Sequence, residues 1–405
     1  MKPTSKNVLA AFFIAVIFVL GYIPFRQAII YAKEFFTTDG YNLETYVGKM
    51  NAKYGDFLPK DNSQYPGTNK MDYINLNSKM ANIFDQKIQN GVIKLNNGYL
   101  ALYDHVKISP DDPKVTENAN NTIDLAKTAE LNGADFLYVS TPAKVDKSQF
   151  PVGTTPTTRE ASQKFLGLLK ENDIPYISML EEYEKQGIDP WDMLHRTDHH
   201  HTMEGAFLTY KAMSEYILNE YEIENNFKQL DISNYGFEIY PKSVVSGEGE
   251  RTGKTFCIPD DVQFIYPKFE TSLEMKDSVI QKAGSFDDLL VNNSFLDRKF
   301  PTYIQPYHAV YYDVFQNGSW VEFNNYSDNY IDKKVLLIGD SQTIRVIPFG
   351  AITFKSMYCL YQNDSSAVTR ENIDKVIEEY KPDVIIKFEY ERNANAINTY
   401  RQSVR

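Results

Sequence analysis

Cysteine is nearly absent from this chain: 405 residues carry two, Cys257 and Cys359. That excludes a disulfide framework and a cysteine-based zinc site, and leaves open whether the two thiols pair. Basic clusters are missing as well. Lys and Arg number 42 against 54 Asp and Glu, a formal net charge of −12. No stretch of Lys and Arg is dense enough to neutralise a phosphate backbone, which excludes a nucleic-acid binder. Only one uncharged run, Val8 to Phe25, approaches the roughly 17–25 residues that cross bilayer hydrocarbon, so a multi-pass transporter is excluded too. There is no internal repeat and no disordered composition. Hydrophobic residues at 42% and aromatics at 14% suffice for one large core, or one with a smaller appendage.

The apolar run sets the expected compartment. Lys2 and Lys6 precede it, which by the positive-inside rule favours a cytoplasmic amino terminus, although Arg26 and Lys33 follow and weaken the bias. A cleaved signal peptide would end in a small-residue site that Gly21-Tyr-Ile-Pro-Phe-Arg26 does not offer. The expectation is therefore a tail and uncleaved transmembrane anchor over residues 1–26, a membrane-proximal stalk over 27–85 and a tethered domain over 86–405. The protein would sit in the cell membrane by a single pass, its large domain extracytoplasmic.

Past the stalk, with its Pro59-to-Gly67 turn cluster, the pattern becomes regular. Asn96-Asn-Gly98 reads as a hairpin turn between Val92–Leu95 and Tyr99–Tyr103. A helical stretch with Ile123, Ala126, Ala129 and Leu131 near one face precedes the strand Phe136–Val139. A second helix, about 157–171, precedes Pro175–Ser178. Val335–Ile338 and Val384–Ile386 add two apolar strands, the latter after a helix carrying Ile373, Val376, Ile377 and Tyr380. The rhythm predicts an α/β fold: a mainly parallel sheet flanked by helices. Residues 233–330, rich in Tyr, Phe, Ser and Gly, read as a long insertion on the sheet's active edge.

Two segments carry the chemistry. Val335–Ile338 runs into Gly339-Asp340-Ser341, which places the Ser341 hydroxyl at a strand's carboxyl end, where open α/β sheets bind ligands. Far upstream, Thr197-Asp-His-His-His-Thr202 supplies a base and an acid. A serine hydroxyl needs a base within hydrogen-bond reach and an acid to fix the base's tautomer. In an extended segment Asp198 and His200 face one way and His199 and His201 the other, which picks His200 as base and Asp198 as orienter. The backbone N–H of Ser341 and the dipole of a following helix would hold the oxyanion.

The chain resembles the DHHW family, an AlgJ/AlgX-like group of polysaccharide O-acetylation proteins with an SGNH-hydrolase-like domain. The resemblance rests on Thr197–Thr202 with Gly205-Ala206, and on further motifs in the same order: Asn90-Gly-Val92, Gly98-Tyr-Leu100, Pro142-Ala-Lys144, Arg251-Thr-Gly253, Leu337–Ser341 and Glu391-Arg392. It spans roughly residues 86–395. It implies Ser341 as nucleophile, His200 as general base and Asp198 as orienting acid. It also implies acetyl transfer to a cell-surface or secreted polysaccharide, with an MBOAT-class membrane acyltransferase as acetyl supplier and no cofactor. Two positions depart from the family pattern. His201 stands where the family has Trp, and Gln342 where an aromatic often follows Gly-Asp-Ser.

Plainer readings stand beside these. His195, His199, His200 and His201 are four of the six histidines and with Asp198 suggest a metal site. Adjacent histidines converge poorly on one ion, so no metal is expected, and His195 and His201 read as incidental members of a surface loop. Gly339-Asp-Ser341 alone would be an ordinary strand-ending turn. His199, His201, Gln342 and Lys144 are candidate substrate contacts, Lys144 reading more simply as part of a solvated loop, and Glu391 with Arg392 as a structural ion pair. Water as acceptor would make the protein a carbohydrate esterase. Loss of efficient turnover would leave a polysaccharide-binding or assembly subunit.

Overall fold

The computed structural model describes residues 70–292, 302–303, 306–362 and 369–395. The expected anchor and most of the stalk lie outside them. Among the described residues no helix is long and apolar enough to cross a membrane. The last part of the segment read as stalk forms a helix, Lys70–Ile83. It is docked: Lys254 N–H and Thr255 Oγ donate to the Asn75 side chain and carbonyl, each at 3.0 Å.

A small antiparallel sheet follows, β1 (Ile88–Gln89), β2 (Val92–Lys94) and β3 (Leu100–Leu102). The Asn96-Asn-Gly98 turn joins β2 to β3 as expected, with Gly98 at φ +86°, a left-handed conformation that glycine adopts without strain. The body of the molecule then alternates. Helix α1 (Pro113–Leu131) starts at Asp112, whose carboxylate accepts Lys114 N–H at 3.0 Å, and leads to β4 (Asp135–Thr141). Helix α2 (Thr158–Glu171) leads to β5 (Tyr176–Ser178). Helix α3 (Met203–Glu220) begins after the histidine loop, with the Thr202 side chain accepting Gly205 N–H.

The region 233–330 is not an appendage. It supplies β6 (Tyr235–Val245) and β7 (Asp260–Pro267), an antiparallel pair in a second sheet, and then β8 (Leu273–Lys276) and β9 (Gln281–Gly284). After β10 (Thr302–Tyr303), which joins β6, comes β11 (Trp320–Asn325). The chain closes with β12 (Ile331–Gly339), β13 (Phe354–Tyr361), helix α4 (Arg370–Tyr380) and β14 (Val384–Tyr390).

The main sheet has eight strands in the order β5-β4-β14-β12-β13-β11-β8-β9. From β5 to β13 every pairing is parallel, whereas β11, β8 and β9 are antiparallel. The fold is thus mixed α/β: the expected parallel sheet is extended by three insertion strands. Alternation along β12 sorts its side chains between two cores. Val335 and Leu337 pack toward α3 with Ala206, Phe207 and Tyr210, while Leu336 and Ile338 pack toward α1, α2 and α4 with Ile123, Phe165 and Ile377. Burial on both faces explains why this strand reads as a continuous apolar run. On α1, Ile123, Ala126 and Ala129 are buried but Leu131 is 86% exposed, contrary to the expected stripe. Five residues beyond Ala126, it points about 140° away around the helix.

Candidate active site

Strand β12 lies between two parallel neighbours, and its last residue pairs with Phe388 of β14 and Tyr361 of β13. Gly339 is required there, because a Cβ would meet Phe388 O at 2.4 Å. Asp340 then fastens the turn. Its Oδ1 accepts Gln342 N–H at 2.8 Å, and its Oδ2 accepts Tyr390 N–H at 2.8 Å and Asn393 Nδ2–H at 2.6 Å. Burial pushes this carboxyl up to about 6. Ser341 is left half-buried among buried neighbours. No regular helix begins at it: Thr343–Arg345 is a single 3-10 turn, followed by the short helix Ile347–Ala351. The helix dipole expected at the oxyanion site therefore has no long helix behind it.

The histidine segment is a tight loop, not an extended strand. Leu194 bridges His201, His195 N–H donates to His200 O at 3.1 Å, and Thr202 N–H donates to Met193 O at 2.9 Å. Asp260, the first residue of β7, grips the loop: its carboxylate accepts the N–H groups of Arg196 and Thr197 and the Thr197 hydroxyl. Thr197 Oγ in turn accepts Ser246 N–H at 3.0 Å. Lys144 is buried, not solvated, and its ammonium donates to Leu100 O at 2.7 Å and Arg196 O at 3.3 Å. His195 and His201, expected at a surface, are 3% and 1% exposed.

These elements bring Ser341, His200 and Asp198 together. His200 Nε2 lies 2.7 Å from Ser341 Oγ, and His200 Nδ1 hydrogen-bonds Asp198 Oδ1, which also accepts His200 N–H at 3.0 Å. The other carboxylate oxygen accepts the Ser246 hydroxyl. Asp198 and His200 meet because the carboxylate folds onto the backbone two residues ahead, an Asx-type turn. Strand parity had selected the same pair, but it fails for His199, whose ring lies on that of His200 with centroids 4.1 Å apart.

Burial alone would raise the Asp198 carboxyl, but the His200 ring beside it overrides this and holds it well below the usual carboxylate range. Desolvation, with help from the Arg345 guanidinium and His199, holds His200 well below an ordinary imidazole despite Asp198. The pair thus stands as carboxylate and neutral imidazole. With Asp198 accepting at Nδ1, the lone pair falls on Nε2, aimed at Ser341. For His199 burial acts downward, but Glu248 outweighs it and raises the ring.

Gln342, 1% exposed, ties the two segments together. Its Oε1 accepts His201 N–H at 3.2 Å and its Nε2 donates to His199 O at 3.1 Å. Arg345 is also buried and donates to Ser341 O at 3.1 Å. Glu391 and Arg392 do not pair with each other. Glu391 accepts Ala143 N–H at 2.7 Å and pairs with Arg159, while Arg392 donates to Asn393.

Sequence reasoning missed Ser246, Glu248, Asp260, Arg345 and Asn393. The one visible hint is glycine around Glu248: Gly247 has φ +48°, and a Cβ there would come within 3.1 Å of Asp198 Oδ2.

The sequence matches no family model and no curated protein. Solved structures are similar. Bacillus cereus PatB1 with a sulfonyl adduct superposes with a TM-score of 0.60 at 17% identity, covering 76% of this chain and 98% of that one. A DHHW family protein from Eubacterium siraeum gives 0.49 at 13% identity, over 77% and 96% of the two chains. The O-acetyltransferase domain of Pseudomonas putida AlgJ gives 0.46 at 12%, over 78% and 95%. The PatB1 likeness is one of fold, and it runs over nearly all of that chain.

Proposed function

We propose that this protein is a serine-dependent O-acyltransferase of SGNH-like fold that transfers an acetyl group to a hydroxyl of a cell-surface or secreted polysaccharide. The observation that carries the reading is the contact of Ser341 Oγ with His200 Nε2 at 2.7 Å, backed by Asp198 on the far side of the ring. In the first half-reaction Ser341 Oγ attacks the donor's acyl carbonyl while His200 takes its proton, and that proton leaves with the departing group. In the second, His200 takes the proton of a sugar hydroxyl as its oxygen attacks the acyl-serine, and the proton returns to Ser341 Oγ as the bond breaks. Asp198 holds the imidazole in the required tautomer throughout, and the Ser341 N–H faces the developing oxyanion.

The wider setting is part of the same proposal. A membrane anchor at residues 8–25 holds the domain on the outer face, where an MBOAT-class acyltransferase delivers acetyl groups. The resemblance in the histidine and Gly-Asp-Ser motifs supports this assignment. The fold likeness to PatB1, whose structure carries a sulfonyl adduct, suggests the probe.

The test is hydrolysis of a chromogenic acetyl ester, with and without polysaccharide acceptor, beside labelling by a small sulfonyl fluoride read by mass spectrometry. Wild type should turn over and take one sulfonyl group on Ser341, whereas Ser341→Ala should do neither and His200→Ala should be slowed at least about a hundredfold. Turnover by Ser341→Ala equal to wild type would sink the serine mechanism.

A further inference from the structure

One cluster of ligating side chains beside the triad takes no part in the acyl-transfer chemistry. His105, in the short helix Tyr103–Val106, His199 of the histidine loop and Glu248 just after β6 bring ligating atoms within 4.8 Å of one another. Glu248 is fully buried, and neither of its carboxylate oxygens has a hydrogen-bond partner. The Nδ1 atoms of His105 and His199 are likewise buried and unpartnered. The His199 ring is the charged partner this carboxylate faces, and without an aligned hydrogen bond it compensates the buried charge less well than a bound cation would.

The geometry favours an ion over a simple hydrogen bond. His199 Nδ1 and Glu248 Oε1 lie 3.3 Å apart, yet they are not aligned as donor and acceptor. A tetrahedral ion with bonds of about 2.0–2.1 Å to nitrogen and oxygen holds its ligand atoms about 3.3 Å apart. The His105 ring stands edge-on to His199, with centroids 5.0 Å apart, and offers a third ligand atom within 4.8 Å of the other two. The other cluster, Asp198, His199 and His200, is less suitable. Its Asp198 and His200 atoms are already committed to each other and to Ser341.

We propose that His105, His199 and Glu248 form a binding site for one divalent transition-metal ion, with zinc the best fit to a two-histidine, one-carboxylate donor set. The fourth position belongs to water, on the side where the His199 side chain keeps 25% of its exposure. The ion would lie against the ring that stacks on His200, outside the serine chemistry. The site stands or falls independently of the role assigned to Ser341.

Direct binding tests it. The purified full-length chain, stripped with chelator, is titrated with zinc alone in competition with a chromogenic zinc chelator, and with cobalt(II) for its tetrahedral absorption bands. Wild type should take one equivalent and show those bands. Glu248→Gln, which keeps the side-chain volume, and His105→Ala should each weaken binding at least about tenfold. His200→Ala should bind like wild type. If wild type fails to bind zinc at about 1 mM, or if Glu248→Gln and His105→Ala bind as tightly as wild type, the cluster is a plain His199–Glu248 ion pair and the proposal is wrong. Loss of binding in His200→Ala with retention in His105→Ala would put the ion on the triad instead, which also overturns it.

Discussion

Replacing Gln342 by leucine separates two roles that the same buried side chain can be given. As a strut, Gln342 joins the serine turn to the histidine loop through His201 N–H at 3.2 Å and His199 O at 3.1 Å. Leucine has similar bulk but neither bond, so two buried backbone groups lose their partner at roughly 1–3 kcal/mol each, or about 2–6 kcal/mol before relaxation. For a domain of this size that lowers Tm by about 3–9 °C in a thermal melt. The catalytic cost follows from position. Ser341 sits on one strutted segment and His200 on the other, and a drift of about 1 Å between reacting groups costs on the order of a hundredfold. Ester hydrolysis by Gln342→Leu should therefore show kcat down roughly 10- to 100-fold with KM within about twofold. The opposite split, unchanged kcat with a raised KM, would mean that Gln342 spends its amide on the substrate and would refute the strut.

Three further outcomes are expected. His200 must be neutral to accept the serine proton, and burial, Arg345 and His199 hold it well below the usual 6.5, so the acid limb of kcat/KM should fall well below pH 6.5. Arg345→Met removes one of those depressing charges and should move the limb to higher pH; a wild-type limb at or above neutrality would contradict the cause. Ser246→Ala deletes a hydrogen bond to the Asp198 carboxylate, a charge-assisted bond of roughly 1.5–3 kcal/mol. The ester assay should show kcat/KM lowered about 10- to 150-fold, and an unchanged value would remove Ser246 from the machinery. Lys144→Met strips the buried Leu100 carbonyl of its Lys144 donor, while Arg196 O keeps Leu100 N–H, and should cost about 1–3 kcal/mol in denaturant unfolding without changing KM, whereas a KM effect would return Lys144 to the substrate.

The parallel half of the sheet was legible because its strands are buried on both faces. Val335–Ile338 and Val384–Ile386 are unbroken apolar runs, as covered parallel strands are, and the helical patterns alternating with them pointed to strands. Strand β13 escaped although Met357–Tyr361 is itself an apolar run, because only the short helix Ile347–Ala351 precedes it and no amphipathic helical pattern marks it off. The strands of the 233–330 region escaped as well. In β11 buried and partly exposed positions alternate, and β9 has no buried position at all, so their membership of the sheet is decided by pairing partners distant in sequence.

The site divides along the same line, between what neighbours in sequence determine and what only packing determines. Asp198 and His200 are two apart and Ser341 ends an apolar strand, so local pattern was enough to single them out. Their restraints are nonlocal: Ser246 is 48 residues from Asp198, Asp260 is 63 from Thr197, and Gln342 is 143 from His199. No periodicity encodes such contacts. They exist because loops at the carboxyl ends of strands have few apolar side chains with which to fix themselves, and their buried N–H and C=O groups must each find a partner. Asp260 and Asp340 do equivalent jobs at the two halves of the site, each carboxylate accepting several donors from the loop it holds. The same requirement explains Gln342, but not the His201 ring, whose two nitrogens are buried without a partner. With its amide bonded to the backbone on either side of His200, Gln342 belongs to the framework that keeps base and nucleophile in register, and its polarity is no argument for a dead site.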